Sequence, residues 1–157
     1  MSVRARPTKF FYVVQNCDDG RYYRKFTVPK KSGGVRSISQ PQRGLALAQS
    51  RLAEVLESHY RIRPYVKGYV KGTSFIKNAR YHQNQRWVLN VDIKDFFPSI
   101  GFARVRGLFL SSVFGFNPRV ATILARVRTF EDALPQGARK SPILANFIAH
   151  NLDKRII

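Results

Sequence analysis

Between Tyr22 and Ser39 apolar and polar residues keep a two-residue rhythm that breaks once, at Lys30-Lys31-Ser32-Gly33-Gly34. Two short strands around a Gly-Gly turn predict a β-hairpin with a basic tip. The rhythm then changes. Leu45, Ala48, Leu52 and Val55 recur at helical spacing with Gln, Arg and Glu between them, which predicts a helix over about residues 42 to 59. From Tyr65 to Ala79 the chain is basic and punctuated by glycine, the pattern of a loop or short hairpin. Trp87-Val88-Leu89-Asn90-Val91-Asp92-Ile93 is an apolar run that predicts a buried strand, ended by Pro98-Ser99. Phe102, Val105, Leu108 and Phe109 mark an amphipathic helix. Asn117-Pro118 supplies an N-cap and first-turn pair for a second, carrying Val120, Ile123, Leu124 and Val127. Ser141-Pro142 repeats the device, and Ile143, Leu144, Phe147 and Ile148 share the face that follows. That last helix reaches Ile157 without a capping signal, as expected of a chain interrupted mid-domain. Helices with short antiparallel strands give an α+β class.

Composition sharpens this picture. Hydrophobic residues make up 44% of the 157, enough for a packed core. The 28 Lys and Arg against 9 Asp and Glu leave a formal net charge of +19. So large a surplus repels itself, and a polyanion relieves it, so nucleic acid comes ahead of a merely solvated basic surface. The charge is spread along the chain, without a polybasic tail, a spanning apolar run or a secretory leader, so a membrane is not the expected partner. The lone Cys17 excludes a disulfide framework and a cysteine-based zinc site, and a reducing bacterial cytoplasm is the expected location.

With so few acids, their placement is informative. Between Glu57 and Glu131 the only ones are Asp92 and Asp95. A carboxylate inside an apolar strand needs a partner, and a hard divalent cation is one. For Asp92 taken alone, capping a turn or pairing with a Lys or Arg is the favoured reading. The whole run Val88-Leu89-Asn90-Val91-Asp92-Ile93-Lys94-Asp95-Phe96-Phe97-Pro98-Ser99-Ile100, however, resembles motif A of reverse transcriptases, in the form typical of the bacterial retron and group II intron branch. The resemblance implies that Asp92, with the backbone carbonyl of Ile93, holds catalytic Mg²⁺. Two ions in the complete site would clamp the attacking and leaving oxygens of an in-line phosphoryl transfer. It also implies that Phe97 is the steric gate that disfavours a 2′-hydroxyl. By strand alternation one of Phe96 and Phe97 belongs to the core, and Asp95 is read as structural or as supporting the metal ligand from behind.

Two further runs fall in the family's order. Leu134-Pro135-Gln136-Gly137, followed by Ser141-Pro142 and a helix, resembles motif B, which assigns Gln136 to the incoming nucleotide or template. Arg139 and Lys140 stand where the family has small residues and add charge there. Phe26-Thr27-Val28-Pro29-Lys30-Lys31-Ser32-Gly33-Gly34-Val35-Arg36 resembles the fingers hairpin, which assigns Lys30 and Arg36 to the nucleotide triphosphate, a compact charge and a fork on phosphate oxygens. Before motif A, Asn78, Ala79 and His82 resemble the Asn-Ala-x-x-His signature of retron enzymes.

Retron-type resemblance implies an RNA-directed DNA polymerase that makes cDNA, as branched msDNA, from a structured non-coding RNA, commonly in anti-phage defence. Its partners would be an RNA template and primer, an RNA–DNA hybrid and dNTPs. The implied fold is the fingers and partial palm of a right-hand polymerase, one incomplete domain over 1–157, with fingers over about 1–85 and the start of the palm over about 86–157. No Tyr-x-Asp-Asp follows motif B. The chain is therefore expected to be inactive alone, with an exposed apolar edge where palm strands are missing, and completed by a second polypeptide or cut from a longer one. A non-catalytic RNA-binding module and an intron-maturase-like enzyme are the alternatives.

Overall fold

The computed structural model describes residues 7–17, 19–30, 33–70, 72–138 and 141–156. The hairpin forms as its rhythm predicts. Strand β1 (Tyr23–Pro29) pairs antiparallel with β2 (Val35–Pro41), and Phe26 faces Ile38 across the ladder. Gly33 and Gly34 take positive φ at the tip, where a side chain would be strained. The two strands form the one sheet among the described residues.

Six α-helices lie among the described residues: α1 (Pro7–Gln15), α2 (Arg43–His59), α3 (Phe75–Arg80), α4 (Phe102–Leu110), α5 (Pro118–Arg128) and α6 (Ser141–Ile156). The Asn117 side chain accepts from the Val120 N–H at 3.0 Å, so the Asn-Pro pair starts α5 as the sequence indicates. The main core lies where α2, α4, α5 and α6 meet and is filled by Leu56, Ile100, Val105, Phe109 and Leu144. Burial of each of these larger side chains contributes about 2 kcal/mol. A smaller cluster of Val14, Cys17, Tyr23, Leu45, Val127 and Phe130 seats the hairpin on α1, α2 and the end of α5.

Two departures from the sequence reading matter. The 65–79 stretch contains a helix, α3, rather than a plain loop or hairpin. The run from Trp87 to Ile93 forms no paired strand, and it is not buried: Trp87 is 84% exposed and Leu89 is 86% exposed. Residues 86–94 make no backbone hydrogen bond with another described residue. A strand exists only through its neighbour, and no described segment pairs with this one.

Candidate nucleotide and template site

The stretch from Phe130 to Gly137 is where the motifs meet. On the hairpin side, the Ser39 N–H of β2 donates to the Gln136 carbonyl at 2.8 Å. Gly137 lies so close to β2 that a Cβ there would come within 2.4 Å of Ile38 Cγ2. Tyr23 stacks on Phe130 with centroids 4.0 Å apart, and the Lys25 ammonium sits 5.0 Å from the same ring while pairing with Glu131. That exposed pair contributes at most about 1 kcal/mol. On the motif A side, the Leu134 N–H donates to the Ile100 carbonyl at 3.0 Å, and the Phe102 N–H at the start of α4 donates to Asp132 Oδ1 at 3.1 Å. The loop Leu134-Pro135-Gln136-Gly137 thus bonds to the fingers hairpin at one end and to the tail of motif A at the other. Leu134 and Pro135 are buried, and Gln136 is half-buried.

Lys30 and Arg36 flank the hairpin tip, which closes through Lys30 N–H to the Gly34 carbonyl at 3.0 Å. Strand alternation puts Arg36 on the same face as Ile38, the face that meets Gly137. Both cations are exposed, as a phosphate-binding role requires. The Phe97 ring is half-buried against the core, 5.6 Å from Phe96 and edge-on to Tyr69 at 6.4 Å. Both phenylalanines, and not one alone, pack against the core, because the segment winds through turns at 94–99 instead of alternating. Asp95 takes a positive φ of 49°, and its backbone carbonyl accepts from the Ser99 N–H at 2.9 Å.

Asp92 and Ile93 lie in the exposed run. The Asp92 carboxylate makes no ion pair or hydrogen bond with a described residue. Among the described residues no group of three or more His, Cys, Asp or Glu side chains can hold a metal ion. One carboxylate and one carbonyl do not fit the coordination demand of two Mg²⁺ ions, so the residues present do not by themselves make that centre. Asn78, Ala79 and His82 all fall on or just after α3, exposed. Arg139 and Lys140 lie outside the described residues, as do Lys31 and Ser32 of the hairpin tip.

Sequence reasoning missed Arg128. It is 1% exposed, donates from Nη1 to the Gln49 carbonyl at 3.1 Å, and burial pushes its guanidinium down to about 10. Gln49 in turn donates to the Val127 carbonyl at 2.8 Å and to the Tyr23 hydroxyl at 3.2 Å, joining α2, α5 and β1. A basic residue in a helix's last turn gives no sign of burial. The acidic pair Glu131-Asp132 was legible as sequence but not as a junction. Its two residues take left-handed φ of 50° and 55°, which sends their side chains to opposite partners.

Residues 28–157 match the profile of the reverse transcriptase (RNA-dependent DNA polymerase) family. The chain is 38% identical to the retron Mx65 reverse transcriptase of Myxococcus xanthus over 87% of its own length and 36% of the relative's. It is 37% identical to the retron Ec86 reverse transcriptase of Escherichia coli over 85% of its length and 42% of the relative's. A third, the retron Mx162 reverse transcriptase of Myxococcus xanthus, is 31% identical over 94% of the chain and 34% of the relative. The chain thus spans less than half the length of these curated relatives. Reverse transcriptases generally use divalent metal ions. No helix among the described residues is long and apolar enough to cross a membrane. With the family profile covering most of its length and retron reverse transcriptases among its relatives, the chain belongs to the reverse transcriptase family, in its retron-type branch.

Proposed function

We propose that this chain provides the fingers, about 1–85, and the beginning of the palm, about 86–157, of a retron-type RNA-directed DNA polymerase. In this reading Lys30 and Arg36 hold the triphosphate of an incoming dNTP, Phe97 packs beneath its sugar, and the Leu134-to-Gly137 loop sets Gln136 against the nucleotide or template. Asp92, with the Ile93 carbonyl, is one contributor to a Mg²⁺ site whose other ligands lie outside the described residues. These belong to a Tyr-x-Asp-Asp segment, on a second polypeptide or a longer form of this one. The single observation that carries the reading is the bonding of β2 to the Gln136 carbonyl and of Leu134 to Ile100, which gathers three motif regions around one loop. The net charge of +19 suits an RNA template, a primer and the hybrid they form. As the retron-type resemblance implies, the proposed product is cDNA of the msDNA kind copied from a structured non-coding RNA in the bacterial cytoplasm, with anti-phage defence as the proposed setting.

The test is primer extension on an RNA template with Mg²⁺ and dNTPs. The chain alone gives no product. Mixed with a polypeptide carrying the Tyr-x-Asp-Asp segment and thumb of a retron enzyme it extends the primer, and Asp92→Asn lowers that extension by at least about a hundredfold, the scale of a lost metal ligand. Extension that survives Asp92→Asn removes the assignment. The net charge of +19 also suits a second reading, an RNA-binding module without chemistry. Salt-sensitive RNA binding, with no extension under any complementation, would select it.

A further inference from the structure

The loop before α3 has its glycine at one position and its backbone strain at the next. Tyr69 takes a left-handed φ of 57°, while its neighbour Gly68, which could adopt that conformation freely, does not take a positive φ. A bulky side chain in the left-handed region is strained, and glycine there is not. A Cβ on Gly68 would meet nothing within 4 Å, so close packing does not demand glycine at 68 either. Local folding of this loop therefore favours glycine at 69, and a tyrosine is held there against it. Its ring adds little to the core, since Tyr69 is 70% exposed.

What the strained residue keeps is a contact. The Tyr69 ring stands edge-on to the Phe97 ring, with centroids 6.4 Å apart and 81° between the planes. Phe97 in turn meets Phe96 at 5.6 Å, and both of these pack against the main core. Tyr69 is thus the exposed end of a row of rings whose middle member is Phe97. Two sets of bonds hold the loop in place. Thr73 closes it from within, its hydroxyl 2.8 Å from the Lys67 carbonyl and its N–H donating to the Val70 carbonyl at 3.3 Å. Asn146, on the helix that follows the motif B loop, ties it from outside by donating from Nδ2 to the Gly68 carbonyl at 3.2 Å. Strain in an exposed loop, kept by bonds from a second element, points to a working part of a site.

We propose that Tyr69 is a positioning residue for sugar selection: its ring blocks the rotation by which Phe97 would give way to a 2′-hydroxyl. An apolar contact rejects an added hydroxyl group only as firmly as the contacting ring is held. Phe96 and the core hold Phe97 from the interior, and Tyr69 is the exposed ring that holds it toward solvent, where a nucleotide sugar arrives. The inference rests on the polymerase reading above and on the place it gives Phe97. It adds a residue on which the preference for a deoxyribose depends.

The test is single-nucleotide primer extension by the complemented polymerase, with dATP or ATP opposite a template uridine, read as the ratio of kcat/KM for the two. Tyr69→Gly lowers the preference for dATP about fivefold, the effect of one lost aromatic contact, mainly by improving the use of ATP. The same substitution does not lower the melting temperature of the chain, because glycine takes the left-handed φ without strain. Selectivity that falls while stability holds is a combination that a merely structural tyrosine would not give. Tyr69→Phe, which keeps the ring, keeps the preference. An unchanged preference in Tyr69→Gly, with extension intact, overturns the inference and leaves the polymerase reading standing. So does a loss shared equally by dATP and ATP, a loss that comes with a lowered melting temperature, or the same loss in Tyr69→Phe. A complemented mixture that extends no primer removes the polymerase reading and this inference together.

Discussion

Arg128 brings a full charge into the interior, where a guanidinium is retained only if its donors are used. Burial pushes it down to about 10, so it is still a cation at neutral pH, and the fold carries the desolvation cost there. Its bond to the Gln49 carbonyl offsets part of that cost and locks the end of α5 to α2. Arg128→Ala removes a charged hydrogen bond and leaves a cavity near Gln49 and Tyr23. The expected loss is about 2–4 kcal/mol, read as a lower urea midpoint with the slope unchanged. Single residues also mark what a sequence conceals. Asn117 declared its cap because an Asn-Pro pair has one economical use at a helix start. Arg128 declared nothing, because an arginine on the surface and one in the core are the same letter until the helices pack.

At the scale of elements, the closest approach in the site is between β2 and the motif B loop. Gly137 has a φ of +106° and leaves no room for a Cβ beside Ile38. Gly137→Ala is therefore strained twice, by its backbone and by the clash, and is expected to cost about 1–3 kcal/mol. In the complemented polymerase it should also raise KM for dNTP, since the hairpin bearing Lys30 and Arg36 is pushed off the loop. Adding Ile38→Ala relieves the clash but not the φ, so stability recovers only in part. A double variant no better than Gly137→Ala alone would assign the whole cost to the backbone. The hairpin, α2, α4, α5 and α6 were legible because each carries its own periodicity and punctuation. Helix α3 was hidden by glycines at 68 and 72 and by a length of 6 residues, too short for a period to repeat. The run at 87–93 has strand composition, but composition does not supply a ladder, and in place of the expected palm strand there is an exposed, unpaired segment.

For the whole molecule, acidity is the sensitive variable, because +19 rises further as carboxylates protonate. His150 on α6 accepts from the Arg63 guanidinium at 3.4 Å, which requires the neutral imidazole. Burial first, then Arg63 and Lys154, hold it below its ordinary 6.5. The folded chain therefore binds this proton less readily than the unfolded one. Its stability is intact above 6.5 and declines as pH falls through the lowered value. Asp19, held below 3.8 by its hydrogen bond from Arg21, adds a second loss at stronger acidity. The melting temperature should fall between pH 7 and 5, and His150→Gln should flatten that step while sparing the more acidic one. An unchanged profile in His150→Gln would place the sensitivity elsewhere. The candidate site was legible at this scale through three motifs in order. Their assembly around one loop was not, since hydrogen bonds between distant segments leave no mark on spacing.

The unpaired stretch from 86 to 94 has a consequence for timing. Its amide protons face solvent and exchange like those of a free peptide, whereas a strand laid beside them would slow that exchange by orders of magnitude. Deuterium uptake at these few positions is thus a built-in clock for the closing of a palm sheet, and it runs without any chemistry at Asp92.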